Sequence, residues 1–141
     1  MDFKDFIKEG IIRRASKDES LAKSLFKNSI DDLKFLDKLQ INQDSSRRLM
    51  TNYYDILRSI LEAISSMKGY KIYSHEAFTS FLKELKEEVL SIKFDRFRKI
   101  RNSINYYGKN ISVGEAKDNI ENIKGMIKIL IKKYLGEFEN G

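Results

Sequence analysis

The sequence contains no cysteine and no proline, a single histidine, and seven glycines in 141 residues. Without cysteine there is no disulfide, no thiol nucleophile and no zinc–thiolate site, and a reducing cytoplasm suits the chain. The lack of proline and the scarcity of glycine argue against a loop-rich or all-β protein. One histidine excludes a His-rich metal site. Neither His75-Glu76 nor the acids of KELKEE have the spacing of metal ligands, so no metal and no cofactor is expected. Glycine-rich phosphate loops and a Ser/His/Asp set with an evident histidine partner are also missing. No apolar run approaches the ~20 residues of a membrane span, and MDFKDFIKEG is too charged for a signal peptide. The expectation is a cytoplasmic protein with no membrane contact.

Hydrophobic residues make up 41% and charged residues 34% of the chain, a balance that fits a helical globular protein. No repeat, low-complexity tract or linker divides it, so one domain, 1–141, is expected. A short helix is expected to run through Ile12. Ser16-Lys-Asp-Glu19 reads as a capping box, followed by Ala22, Phe26, Ile30, Leu33 and Leu36 at steps of four and three. INQDSS breaks the pattern. Leu49, Tyr53, Ile56, Leu57, Ile60, Ile64 and Met67 then form a wide apolar stripe stopped at Gly69. Ser74 caps a fourth helix burying Phe78, Phe81, Leu82, Leu85 and Val89. A fifth turns Phe97, Ile100, Ile104 and Tyr107 to the core and stops at Gly108. Ser112-Val-Gly-Glu115, a second capping box, opens a last helix with Ala116, Ile120, Ile123, Ile127, Leu130, Ile131 and Tyr134 on one side. The fold class expected is all-α, an antiparallel helical bundle with one or two additional short helices.

The net charge is +6. In KFDRFRKIR five cations, Lys93, Arg96, Arg98, Lys99 and Arg101, stand against the single acid Asp95, so this short segment holds most of the excess. Guanidinium forks suit phosphate better than mere solvation requires. The overlapping stretch RKIRNSINYYG places Arg98, Arg101, Asn102, Asn105 and Tyr106 on one helical arc of roughly 140°. Exposed helix faces ordinarily carry Glu and Lys, and asparagine is a poor helix former. A frayed helix end is the plain reading of these asparagines; a polar binding arc is the functional one. The lysines of the last helix, Lys124, Lys128, Lys132 and Lys133, read as a solvated face. Tyr70 and Tyr73 read as packing at a helix junction. His75, in SHEAF, reads as a helix-start residue with a local hydrogen bond, and no spacing links it to Arg101.

With Arg101-Asn102 near the end of the penultimate helix, GYKIYSHEAF after the long third helix and SLAKSLFKNSIDDLKFL as a first bundle helix, the chain resembles the HEPN-domain family (higher eukaryotes and prokaryotes nucleotide-binding) over roughly residues 10–135. The family signature is an arginine, often followed by asparagine, then four to six residues to a histidine. Many members are metal-independent endoribonucleases, usually dimers whose two motifs meet in an interface cleft. Others are toxins paired with a minimal nucleotidyltransferase, or noncatalytic binding modules. Here Tyr106 stands where the histidine belongs. A phenol of pKa ≈10 is only about 0.1% ionised at pH 7, a poor general base. The resemblance therefore implies a homodimeric binding partner of RNA or a nucleotide with a degenerate ribonuclease motif. Its candidate catalytic residues are Arg101, Asn102 and Tyr106. Its candidate nucleic-acid ligands are Arg96, Arg98, Lys99, Arg101 and Asn105. The competing expectations are a toxin-like metal-independent endoribonuclease and a purely structural helical interaction module. An arc fully paired with acids would favour the last.

Overall fold

Helix-period sequence becomes helix almost throughout the structure, a computed structural model that describes residues 1–139. The elements are α1 (Phe3–Lys8), β1 (Ile12–Arg14), α2 (Glu19–Leu36), α3 (Ser46–Lys68), β2 (Tyr70–Ile72), α4 (His75–Glu84), α5 (Glu88–Tyr107) and α6 (Val113–Tyr134), followed by a 3₁₀ turn at Gly136–Phe138. This is the expected all-α bundle. Helix α3 is its axis and packs against α2, α5 and α6, while α4 packs on α5. The polarity follows from named contacts. Asp18 reaches the carbonyl of Ser66, and Tyr53 bonds Asp37, so α2 and α3 are antiparallel. The Ile104–Asn105 end of α5 lies beside Arg48 and Thr51 near the start of α3, while Phe94 stacks on Tyr54 further along it, so these two helices are antiparallel as well.

The apolar stripe of α3 explains its central place. Leu57, Ile60, Leu61, Ala63 and Ile64 are wholly buried, together with Met50 and Tyr54. Burying one large apolar side chain contributes about 1.5–3 kcal/mol, so such a helix is held by its neighbours rather than by intrinsic propensity. Helix α6 brings Ile120, Ile123, Met126, Ile127 and Leu130 to the same core, and α4 brings Phe78, Phe81 and Leu82. Lys124, expected on a solvated face, instead lies 2.9 Å from Asp37, and Lys133 bonds Glu87.

Several boundaries differ from the sequence expectation. The opening helix ends at Lys8, and Ile12 belongs to a strand whose register with β2 is Ile12↔Ile72, Arg13↔Lys71 and Arg14↔Tyr70. Three-residue strands are too short to show an alternating pattern, and the pairing is long-range. Asp18, not Ser16, caps α2, accepting from the Leu21 N–H at 2.9 Å. Val89 is 66% exposed because α4 ends five residues earlier, at Glu84, and Lys86 turns the chain at φ 66 before α5. Tyr107 is 84% exposed rather than buried: the last turn of α5 runs past the helices that cover Phe97 and Ile104. Ser74 and Ser112 do cap α4 and α6.

Gly69 and Gly108 end α3 and α5 with φ of 83° and 62°, the left-handed region that glycine enters without penalty. At Gly69 an added Cβ would also lie 3.0 Å from the Ala15 carbonyl oxygen. That close approach is where the β ribbon crosses the end of α3, turning the chain so that α4 starts against the side of α3.

Candidate nucleic-acid interface

Ser74 accepts a hydrogen bond from the Ala77 N–H at 3.2 Å, which fixes His75 as the first residue of α4. Its imidazole does not make the local bond expected of a helix-start residue. Nδ1 lies 3.1 Å from the Tyr54 hydroxyl of α3, 21 positions away in sequence. Tyr54 is fully buried, stacks on Phe94, and has Arg101 of α5 nearby with the guanidinium carbon 5.9 Å from the ring centroid. The tyrosine thus joins a histidine from one helix to an arginine from another.

Electrostatics bind the group together. Burial pushes the His75 pKa down from 6.5 to about 4, and the positive charges of Arg58, Arg101 and Arg98 add to the effect. The imidazole is neutral at pH 7. Burial raises the Tyr54 pKa above the usual phenol value despite the same three cations, so its hydroxyl stays protonated. Asp55 is raised by burial, an effect partly offset by Arg58 and Arg101. Arg58 has only a loose contact to Glu62, 3.7 Å.

Along α5 the expected arc divides. Arg98 donates to the Asp95 carboxylate through Nε at 3.1 Å and Nη2 at 2.8 Å, and Lys99 reaches the same carboxylate at 3.1 Å. Burial works against ionising Asp95, but the bonds from Arg98 and Lys99 outweigh it and hold its pKa below the ordinary carboxylate value. Arg101 differs. Its one side-chain bond is a 3.3 Å contact from Nη1 to the Asn102 amide oxygen, and its Nε is buried with no partner. No carboxylate lies within salt-bridge distance of it among the described residues. The Tyr106 ring, 70% exposed, lies over the guanidinium at 5.8 Å. Asn102 is half-buried beside it, whereas Asn105 is exposed and faces Arg47, Arg48 and Thr51 of α3. Arg96 packs over Phe97 and, with Lys99, lines a separate depression towards Lys109.

Arg98, Arg101, Asn102 and Tyr106 are thus brought together, while Arg96 and Lys99 lie on another side of α5. Tyr54 and Arg58 were not singled out as site residues from sequence, and His75 reads there only as a helix-start residue with a local hydrogen bond. The first two had a detectable signal: Arg47, Thr51, Tyr54 and Arg58 follow one another at steps of four, three and four, which places them along one side of the helix. His75 had none, because the β ribbon and the turn at Gly69 place it. Chemically, the cluster offers an arginine fork with no acid in salt-bridge distance among the described residues, an exposed aromatic face and a neutral imidazole. No group of three or more His, Asp or Glu among the described residues is arranged to hold a metal ion.

No family model, curated protein or solved structure matches this chain.

The residues therefore carry the functional argument. Among the described residues, no helix is long and apolar enough to cross a membrane.

Proposed function

We propose that the protein binds RNA or a nucleotide through the Arg101 cluster, as a HEPN-like partner protein with a degenerate ribonuclease motif. The observation that carries this reading is the state of Arg101. A guanidinium lying 5.9 and 5.8 Å from the ring centroids of Tyr54 and Tyr106, with only a neutral amide as hydrogen-bond partner, keeps most of its donors uncommitted. Charge-assisted forks of this kind suit phosphate oxygens, and an exposed aromatic ring such as Tyr106 gives a base a face to stack on. Arg98 and Lys99, neutralised by Asp95, contribute less than the raw charge of their segment implies. A purely structural role would leave the arc closed by acids, and Arg101 is not closed. Two copies of α5 meeting across a two-fold axis, and a minimal nucleotidyltransferase as a protein partner, belong to the same reading.

The test is anisotropy of a labelled single-stranded RNA across a salt series. Affinity falls with salt by about 0.7 log units per log unit of salt for each phosphate contact. Arg101→Ala weakens binding by about tenfold or more and flattens the slope by about one contact. An unchanged slope, or no binding at low salt, refutes the reading.

One observation favours a second reading, a metal-independent endoribonuclease. His75 supplies a neutral imidazole in the same cluster as Arg101, tied to it through Tyr54. Cleavage of RNA in EDTA that is lost in both Arg101→Ala and His75→Gln would establish it.

A further inference from the structure

The polar surface does not end at Arg101. Helices α3 and α5 run antiparallel, so Arg58, Thr51 and Arg47 on one, with the buried Tyr54 beneath them, lie along Arg98, Arg101 and Asn105 on the other. At the Asn105 end the seam opens into a cavity of about 280 Å³ lined by Arg47, Arg48, Thr51, Ile104 and Asn105, with no acid among them. Arg47 also borders a larger depression of about 690 Å³ with Gln43, Asp44, Asn110 and Ser112, where Asp44 is the one acid. Arg47 and Arg48 are exposed, and no carboxylate lies within salt-bridge distance of either among the described residues.

Charge gives the seam a direction. Towards Arg58 and Arg98 the cations meet Asp55, Glu62 and Asp95. Towards Arg47 and Arg48 the cations have no acid until Asp44. A polyanion that engages Arg101 therefore gains by extending towards the start of α3 and loses by extending the other way. From Tyr54, beside Arg101, to Arg47 is seven residues of α3, or about 10 Å at 1.5 Å per residue. A stacked strand covers that distance in about three nucleotides at ~3.4 Å each.

We infer that Arg47, Arg48 and Asn105 form a second phosphate-binding subsite, so that the ligand is a single-stranded RNA of several nucleotides running along the α3–α5 seam, not a mononucleotide. This rests on the reading of Arg101 as a phosphate ligand, and it adds residues outside the basic segment of α5. Asn105, open on its exposed side, donates its amide between the two arginine groups. Thr51 is occupied with the Arg48 carbonyl and serves as the wall of the cavity.

The experiment measures binding of fluorescein-labelled oligouridylates two to eight nucleotides long to the full chain. For the natural protein, affinity rises steeply with length up to about four nucleotides and then levels. In an Arg47→Ala, Arg48→Ala double variant that rise flattens, the longest oligomer loses about tenfold in affinity, and its salt slope falls by about 1.4, two contacts' worth. Both side chains are exposed, and circular dichroism confirms that the variant retains its helices. A length dependence identical to that of the natural protein overturns the inference. If Arg101→Ala weakens every length at the same time, the parent reading stands and only the extension fails. If the natural protein binds no oligomer at low salt, the parent reading fails and takes the extension with it.

Discussion

His75 supplies the most direct physical test of the cluster. Its pKa lies near 4 instead of 6.5, first because it is partly buried and then because Arg58, Arg101 and Arg98 oppose a further positive charge. Between those two values the unfolded chain binds a proton that the folded chain does not, so stability falls as pH falls through this window. The loss begins near pH 7, runs to about pH 4 and levels below it. Carried through in full, that difference corresponds to about 3.4 kcal/mol at 1.36 kcal/mol per tenfold. The ring is partly open to water, which screens the guanidinium charges, and about 1–2 kcal/mol is the expected measured effect. Other groups titrate nearby. Asp55, raised by burial, adds stability as pH falls; Asp37 and Asp95, both lowered, withdraw it only at more acidic pH. A His75→Gln variant isolates the histidine, because its amide stays neutral and still offers Tyr54 a hydrogen-bond partner. Urea denaturation of both proteins from pH 7.5 to 4.5 should give curves that converge as pH falls, with the natural protein losing more. The imidazole proton resonance should titrate with a midpoint near 4. Parallel stability curves, or a midpoint at 6.5 or above, would refute the burial and the arginine cluster together.

Two further outcomes bear on the proposed function. The natural protein is expected to leave RNA intact in EDTA at neutral pH, whereas Tyr106→His places an imidazole over Arg101 and should gain cleavage of about 10²-fold or more, abolished again by Arg101→Ala; robust cleavage by the natural protein that depends on Arg101 would contradict this. Light scattering over a wide concentration range should detect a dimer in which each α5 contributes to one isologous contact, and a strictly monomeric protein at high concentration would remove the composite-site idea.

Elements whose cause is local were legible in the sequence. The α3 stripe, the Ser74 and Ser112 caps and the stops at Gly69 and Gly108 each depend on a few neighbouring residues, and all five stand where the pattern puts them. The β ribbon was not legible, since Ile12 and Ile72 are 60 positions apart and each strand is one turn of pattern too short. From sequence, Ile12 reads as the end of a helix and Tyr70 as packing at a helix junction, and missing the pairing of their strands had a consequence for the site. The ribbon, with the tight crossing at Gly69 and Ala15, leads into α4, whose first residue His75 meets Tyr54. Arg101 and Asn102 were visible as an odd choice of residues on a helix face, but the Tyr54, Arg58 and His75 cluster beside Arg101 was not. Equally, sequence spacing could not show that Asp95 absorbs Arg98 and Lys99 while no carboxylate among the described residues reaches Arg101 within salt-bridge distance. Charge counted along the chain overstates a basic segment whenever an acid three or four residues away sits on the same helical face.

The choice between binder and enzyme turns on how the cluster holds its histidine. A general base works best with a pKa near the operating pH, because it must be both deprotonated and basic. At a pKa of about 4 the imidazole is fully deprotonated at neutral pH yet weakly basic, and its Nδ1 is already engaged with Tyr54. The same cations that weaken the base attract a phosphate, and a bound phosphate offsets their charge. Ligand binding therefore raises the His75 pKa towards neutrality, in the direction that favours proton transfer, while desolvation by the ligand opposes it. Burial is the larger cause of the depression and remains after the arginines are neutralised. On that balance the proposed anion-binding role fits the free cluster better than base catalysis does: an uncharged His75 would leave the positive field of the arginines to a ligand.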